Sequence, residues 1–88
     1  MGRNDQAVAV AERKRQLDPT GTNANFTLGS VFVFTRQWDK AIQQLRSAID
    51  LDPNYWLDYC FLGRAYEQKG KLPQAIAEFQ RGLALDPD

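Results

Sequence analysis

Few side chains in this sequence are equipped for covalent or metal chemistry. There is no histidine, which removes the commonest general base and the commonest metal ligand. Cys60 is the single cysteine. Without a partner base or a second thiol it reads as packing, not as a nucleophile or half of an internal disulfide. Asp50, Asp52 and Asp58 lie close in sequence but scatter around a predicted helix boundary, where capping and solvation account for carboxylates without a metal. These residue types point away from an enzyme, and neither a cofactor nor a metal is expected. Noncovalent recognition is what remains.

The elements that would position a recognition surface announce themselves by repetition. Leu17-Asp18-Pro19, Leu51-Asp52-Pro53 and Leu85-Asp86-Pro87 are one tripeptide recurring every 34 residues. The segment from Asp39 to Leu45 lies over the segment from Pro73 to Phe79, and both lie over Asp5 to Ala11. Leu28-Gly29 lies over Leu62-Gly63, and Phe32 over Tyr66. A period of this length is the mark of stacked helical hairpins, a quasi-one-dimensional architecture in which each unit packs on its neighbours.

Helical spacing and stop signals divide the chain into five helices. The first is predicted from Asp5, a possible N-cap, to Leu17, with Ala7, Val8, Ala11 and Leu17 on one face and Asp18-Pro19 ending it. The second runs from about Asn23 to Arg36. Its stretch Val31 to Thr35 has strand propensity, but the repeat register places it over Ala65 to Lys69, which reads as helix, so helix is assigned. The third runs from Asp39 to Leu51 with Ala41, Ile42, Leu45, Ala48 and Ile49 at core spacing. The fourth covers Tyr55 to Lys69 and stops at Gly70. The fifth starts around Pro73, where a missing N–H costs nothing, and is expected to bury Ala75, Ile76, Phe79, Gly82 and Leu83 as far as Leu85. Gly29 and Gly63, with Ala41 and Ala75 facing them, let the helices of each hairpin cross closely.

These residues resemble the tetratricopeptide repeat family, whose pattern is aromatic-x2-Leu-Gly-x2-Tyr, then Ala-x3-Phe, then Pro. Tyr59, Leu62, Gly63, Tyr66, Ala75, Phe79 and Pro87 match it throughout. The copy before keeps Leu28, Gly29, Ala41 and Pro53, puts Phe32 and Leu45 at the Tyr and Phe positions, and departs at Asn25 and at Arg36. The resemblance implies an all-α fold of antiparallel helix-turn-helix hairpins stacked as a short right-handed solenoid of about two and a half repeats. Residues 1–20 would be a half repeat with helix B only, 21–53 a complete repeat, and 54–88 a complete repeat lacking a C-terminal capping helix.

The resemblance also implies a function: the A helices line a concave face that holds a peptide. By register that face comprises Asn23, Phe26, Thr27, Ser30, Val33 and Phe34, then Leu57, Cys60, Phe61, Arg64, Glu67 and Gln68. Phe26, Phe34, Leu57 and Phe61 would make an apolar groove with Arg64 as its cation, able to pair a carboxylate or a backbone carbonyl of the guest. The competing reading of these aromatics is core packing, with Phe34 folded over the turn beside Trp38 and Arg64 simply solvated. Some relatives grip the carboxylate terminus of heat-shock chaperones through Lys and Asn at concave positions. Phe26, Ser30, Cys60 and Arg64 stand there instead, so a different protein or peptide partner is implied.

Composition narrows the partner further. Eleven basic and eleven acidic residues cancel, leaving no bulk electrostatic pull toward nucleic acid or acidic lipid. A lone thiol, the absence of any span-length apolar stretch and the charge of residues 1–16 lead to a cytoplasmic expectation, and Gln6 stands where a myristoylation signal wants Ser or Thr. Starting on half a repeat and ending on an uncapped hairpin, the chain is read as a piece of a longer array, with a stand-alone protein as the alternative. Under either origin it is expected to be a homo-oligomer, a dimer stacking C-terminal hairpins, because uncapped repeats leave apolar surface. A scaffolding segment that self-associates in this way, with its groove empty, is the alternative to the peptide-binding module.

Overall fold

The computed structural model describes residues 2–86 and is helical, with no strand among them. The elements are α1 (Gly2–Leu17), α2 (Thr22–Phe34), α3 (Trp38–Leu51), α4 (Trp56–Gln68) and α5 (Leu72–Leu85). Each helix packs on the next in sequence, and α2 also packs on α4, whereas the backbones of α1, α3 and α5 do not approach one another closely. The layer α2/α4 is therefore close-set and the layer α1/α3/α5 splayed. That difference curves the stack and makes the α2/α4 side its hollow side.

Small residues set the crossings. A Cβ on Gly29 would come within 2.5 Å of Leu45 Cδ2, and one on Gly63 within 2.8 Å of the Phe79 ring, so each glycine receives the large side chain of its hairpin partner. Ala41, Leu45 and Ala48 of α3 and Ala75 and Gly82 of α5 are buried by these approaches. The core continues through Leu28, Phe32, Val33, Leu62 and Ala65. Val31 to Phe34 is helical despite its β-branched content, because burial of Phe32 and Val33 outweighs a propensity deficit of a few tenths of a kcal/mol per residue.

Both hairpin turns close in the same way. After α2 the Arg36 N–H donates to Val33 O and the Gln37 N–H to Phe32 O; after α4 the Gly70 N–H donates to Glu67 O and the Lys71 N–H to Tyr66 O. This motif needs a left-handed residue at its centre. Gly70 supplies it at φ 76°, and Arg36 adopts φ 60° with a side chain, at a cost of about 1–2 kcal/mol. The departure at Asn25 also has a structural reason. Tyr59 donates its hydroxyl to Pro53 O at 2.7 Å, tying α4 to the Leu-Asp-Pro linker before it. Thirty-four residues earlier, Asn25 Nδ2 donates to Pro19 O at 2.8 Å and makes the same tie with an amide. Arg15 Nε and Gln44 Nε2 both donate to Asn25 Oδ1.

Three expectations are corrected. Helix α1 begins at Gly2, so Asp5 lies within its first turn and caps nothing. Of the face expected to pack, Ala11 is buried and Val8 half-buried, but Ala7 and Leu17 are exposed, since the backbone of α1 comes close to that of α2 alone among the helices. In α5 the expected core residues Ile76 and Leu83 are 54% and 70% exposed: the crossing with α4 is made by Ala75 and Gly82, which turns both large side chains outward.

Candidate peptide-binding site

On the hollow side four rings interlock edge to face. Phe26 of α2 stands 5.0 Å from Phe61 of α4, and Phe34, two turns further along α2, stands 5.9 Å from the same ring. Tyr55, just ahead of α4, closes the series 5.4 Å from Phe26. Each such pair contributes about 0.5–1.5 kcal/mol beyond its buried area, so the ladder clamps α2 to α4 as well as lining the groove. Phe26 and Phe61 are half-buried by these contacts, while Phe34 remains 67% exposed. Packing and exposure are therefore divided among the rings, and Phe34 is the one left open to solvent.

At the Phe34 end the ladder runs into a cavity of about 290 Å³ lined by Val33, Phe34, Arg36, Trp38, Arg64 and Gln68. Both cations and Gln68 are exposed, no carboxylate lines the cavity, and neither salt bridge found among the described residues engages Arg36 or Arg64. An apolar wall ending at two guanidinium groups can anchor a hydrophobic side chain and pair a carboxylate beside it. Leu57 is half-buried one helical turn before Phe61, on the same face of α4, and Glu67 is exposed near the other end.

The remaining predicted positions do not join this surface. Ser30 is buried and its hydroxyl donates to Thr27 O at 2.8 Å, the local back-bond that serine forms readily inside a helix. Cys60 packs against α5: a Cβ on Gly82 would meet its Sγ at 2.8 Å, and burial, with the charge of Asp86, pushes its thiol pKa up. Thr27 borders a different cavity, between α1 and α2. Asn23 is exposed and accepts a hydrogen bond from the Lys14 ammonium, again on the α1 side. Repeat register identifies the helix face, but it does not say which members of that face are consumed by packing. Tyr55 was missed because its counterpart one repeat earlier is Gly21, so nothing in the register flagged an aromatic there.

Comparisons with known proteins agree with this architecture. The chain is 31% identical over 84 residues to the protein bimA of Emericella nidulans, and 32% identical over 75 residues to anaphase-promoting complex subunit 3 of Dictyostelium discoideum. These alignments cover 96% and 85% of the chain but only 10% and 8% of those proteins, so the chain spans about a tenth of the length of these relatives. A crystal structure of MamA superposes with a TM-score of 0.85 at 27% identity, covering 97% of this chain and 50% of that one. The second tetratricopeptide domain of Spaghetti (RPAP3), bound to the HSP90 peptide SRMEEVD, superposes with a TM-score of 0.87 at 23% identity, covering 98% and 75%; at that identity the likeness is one of fold. The family model described as tetratricopeptide repeat matches residues 26–88, most of the chain, from within α2 through α5. With the glycine crossings and the two-layer stack in place, the chain belongs to the tetratricopeptide repeat family.

Proposed function

We propose that this chain is a noncatalytic interaction module that takes a peptide along the α2/α4 face, with an apolar side chain of the guest against Phe34 and Phe61 and a carboxylate beside Arg64 and Arg36. The observation that carries this reading is Phe34. A large aromatic ring left mostly exposed at the mouth of a cationic cavity is hard to explain as core. Rings already locked into the ladder make the wall rigid before a guest arrives, which lowers the ordering cost of binding.

The test uses peptides selected from a displayed library by the wild-type chain. Phe34→Asp, at an exposed position, is expected to keep the helical circular dichroism and weaken the selected peptides at least about tenfold, since an apolar contact worth more than 1.4 kcal/mol is replaced by a charge. Arg64→Glu should weaken the acidic members of the same set and spare the neutral ones. Unchanged affinity in Phe34→Asp would remove this groove as the site.

A second reading is supported by the stripe Leu72, Ile76 and Leu83, exposed along one side of α5. It is that the chain also self-associates through its C-terminal hairpin, burying the stripe, and so serves as a scaffold. The two readings use different faces and are compatible.

A further inference from the structure

The cavity bordered by α1 and α2 lies outside the peptide groove. Its volume is about 460 Å³, and its walls include Arg3, Ala7, Val10, Ala11 and Lys14 of α1 and Val31 of α2. Repeat register shows what kind of object such walls receive. Ala7 matches Ala41 and Ala75, Ala11 matches Leu45 and Phe79, and Lys14 matches Ala48 and Gly82. Those six lie on α3 and α5, on the faces that pack against α2 and α4. The opposite wall behaves likewise, because Thr27 and Val31 match Phe61 and Ala65, which α4 turns toward the core shared with α2. These eight matching positions are thus occupied by helix–helix packing, whereas here Ala7 is exposed and Val10 is 70% exposed. The groove has the form of a helix seat.

Its depth says which side chains fill it. Ala11 stands where α3 and α5 carry Leu45 and Phe79, and Thr27 where α4 carries Phe61. A helix with glycine at the crossing, like α2 or α4, would leave a void above Ala11 and Thr27. The occupant must bring the bulk itself, as Leu or Ile. Along its length the seat runs from Arg3 to Lys14, about 16 Å of helix, with a cationic residue at each end and no acid in its lining.

One helix of this chain has that complement exposed. Leu72, Ile76 and Leu83 form a single stripe on α5, also about 16 Å long, and all three are more than half exposed. The last turn of α5 carries no basic side chain, so its carbonyl end, the negative pole of the helix, can meet one of the two cationic ends of the seat. With no net charge, copies of the chain do not repel one another. We propose that the α1/α2 groove is the seat for the α5 stripe of a second copy of this chain. This inference rests on the self-association reading above and names the mating surface. The contact is heterologous, so it propagates into a ring or a filament rather than stopping at a pair of facing α5 helices.

The experiment is multi-angle light scattering on the full 88-residue chain across a concentration series. Val10→Asp and Ile76→Asp each place a charge at an exposed position, so both should keep the wild-type circular dichroism. Val10→Gln, which copies Gln44 at the matching position of α3, is the milder second variant. Wild type is expected to grow beyond a monomer with concentration, and each variant alone to associate at least about tenfold more weakly. An equimolar mixture of Val10→Asp and Ile76→Asp should recover a one-to-one heterodimer and no larger species. One chain then offers an intact stripe, the other an intact seat, and the two remaining faces are blocked. If Ile76→Asp is monomeric while Val10→Asp assembles like wild type, the stripe pairs with itself and the proposal is wrong. If wild type assembles and the mixture does not recover the heterodimer, it is wrong as well. A wild type that stays monomeric throughout overturns both this inference and the self-association reading, and leaves the Phe34 test of the peptide groove untouched.

Discussion

Between pH 5 and pH 8 the fold is expected to lose about 2–3 kcal/mol of stability, and replacing one side chain should abolish the loss. That side chain is Asp58, in the first turn of α4, which is 1% exposed and whose two carboxylate oxygens have no hydrogen-bond partner among the described residues. Burial, and secondarily the negative charge of Asp52, push its pKa from 3.8 up to about 7. The N-terminal end of α4 favours the charged form, but by about 1 kcal/mol or less, which is smaller than the cost of burying it. A pKa raised on folding means that the native state holds a proton the unfolded chain has released. Its stabilising effect is complete below the unfolded pKa and is lost as pH rises toward 7, at about 1.4 kcal/mol per unit. The matching residue one repeat earlier is Ala24, also buried, so Asp58→Ala is a substitution the architecture already accommodates. Urea denaturation should show wild type weakening across this interval and Asp58→Ala level, so that the variant gains about 2–3 kcal/mol on wild type between pH 5 and pH 8. Tyr55, Tyr59 and Cys60 are all pushed upward, chiefly by burial, from ordinary values of 9 or above, outside the interval. Wild-type stability that is level or rises from pH 5 to pH 8 would show that Asp58 is ionised and satisfied in the native state.

Leu45→Ala is expected to be the most damaging single truncation of the core, costing about 3 kcal/mol or more. Leu45 is fully buried and sits on Gly29, where no Cβ can move in to refill the space. The loss therefore combines lost transfer energy with a cavity that two helices and a glycine cannot collapse. An 88-residue domain holds about 4–13 kcal/mol in total, so much of the population would unfold at moderate denaturant. Truncating Leu83, 70% exposed at the other end of the same repeat pattern, should change stability by about 0.5 kcal/mol or less. If the two substitutions cost the same by urea titration, the glycine crossing is not where the stability lies.

Sequence and structure part company at instructive places. Helix number, order and crossings were legible because the 34-residue period ties each ambiguous stretch to a clearer one; Val31 to Phe34, strand-like by itself, inherits its state from Ala65 to Gln68. The face of each A helix was legible for the same reason. What periodicity does not carry is how a particular side chain disposes of its polar atoms. Ser30 turned its hydroxyl back onto Thr27 O, and Cys60 was claimed by the close approach of Gly82. Asn25 looked like a lost aromatic and proved to be an amide making the same tie to a proline carbonyl that Tyr59 makes with its hydroxyl. Asp58 reads in sequence as an ordinary acid in a first helical turn; only packing reveals that water has been taken from it.

The central assertion is that the guest lies along the Phe26–Phe61–Phe34 ladder. Two-dimensional NMR of the labelled chain, titrated with a library-selected peptide, tests it most directly. Shifts are expected on the rings of Phe34 and Phe61 and on the Arg64 and Arg36 side chains, fading toward Cys60 and absent from Arg46 and Lys71, which line a separate cavity bordered by α3 and α5. A peptide that binds while moving only the Arg46 and Lys71 side, and leaves the Phe34 and Phe61 rings unshifted, would contradict the account.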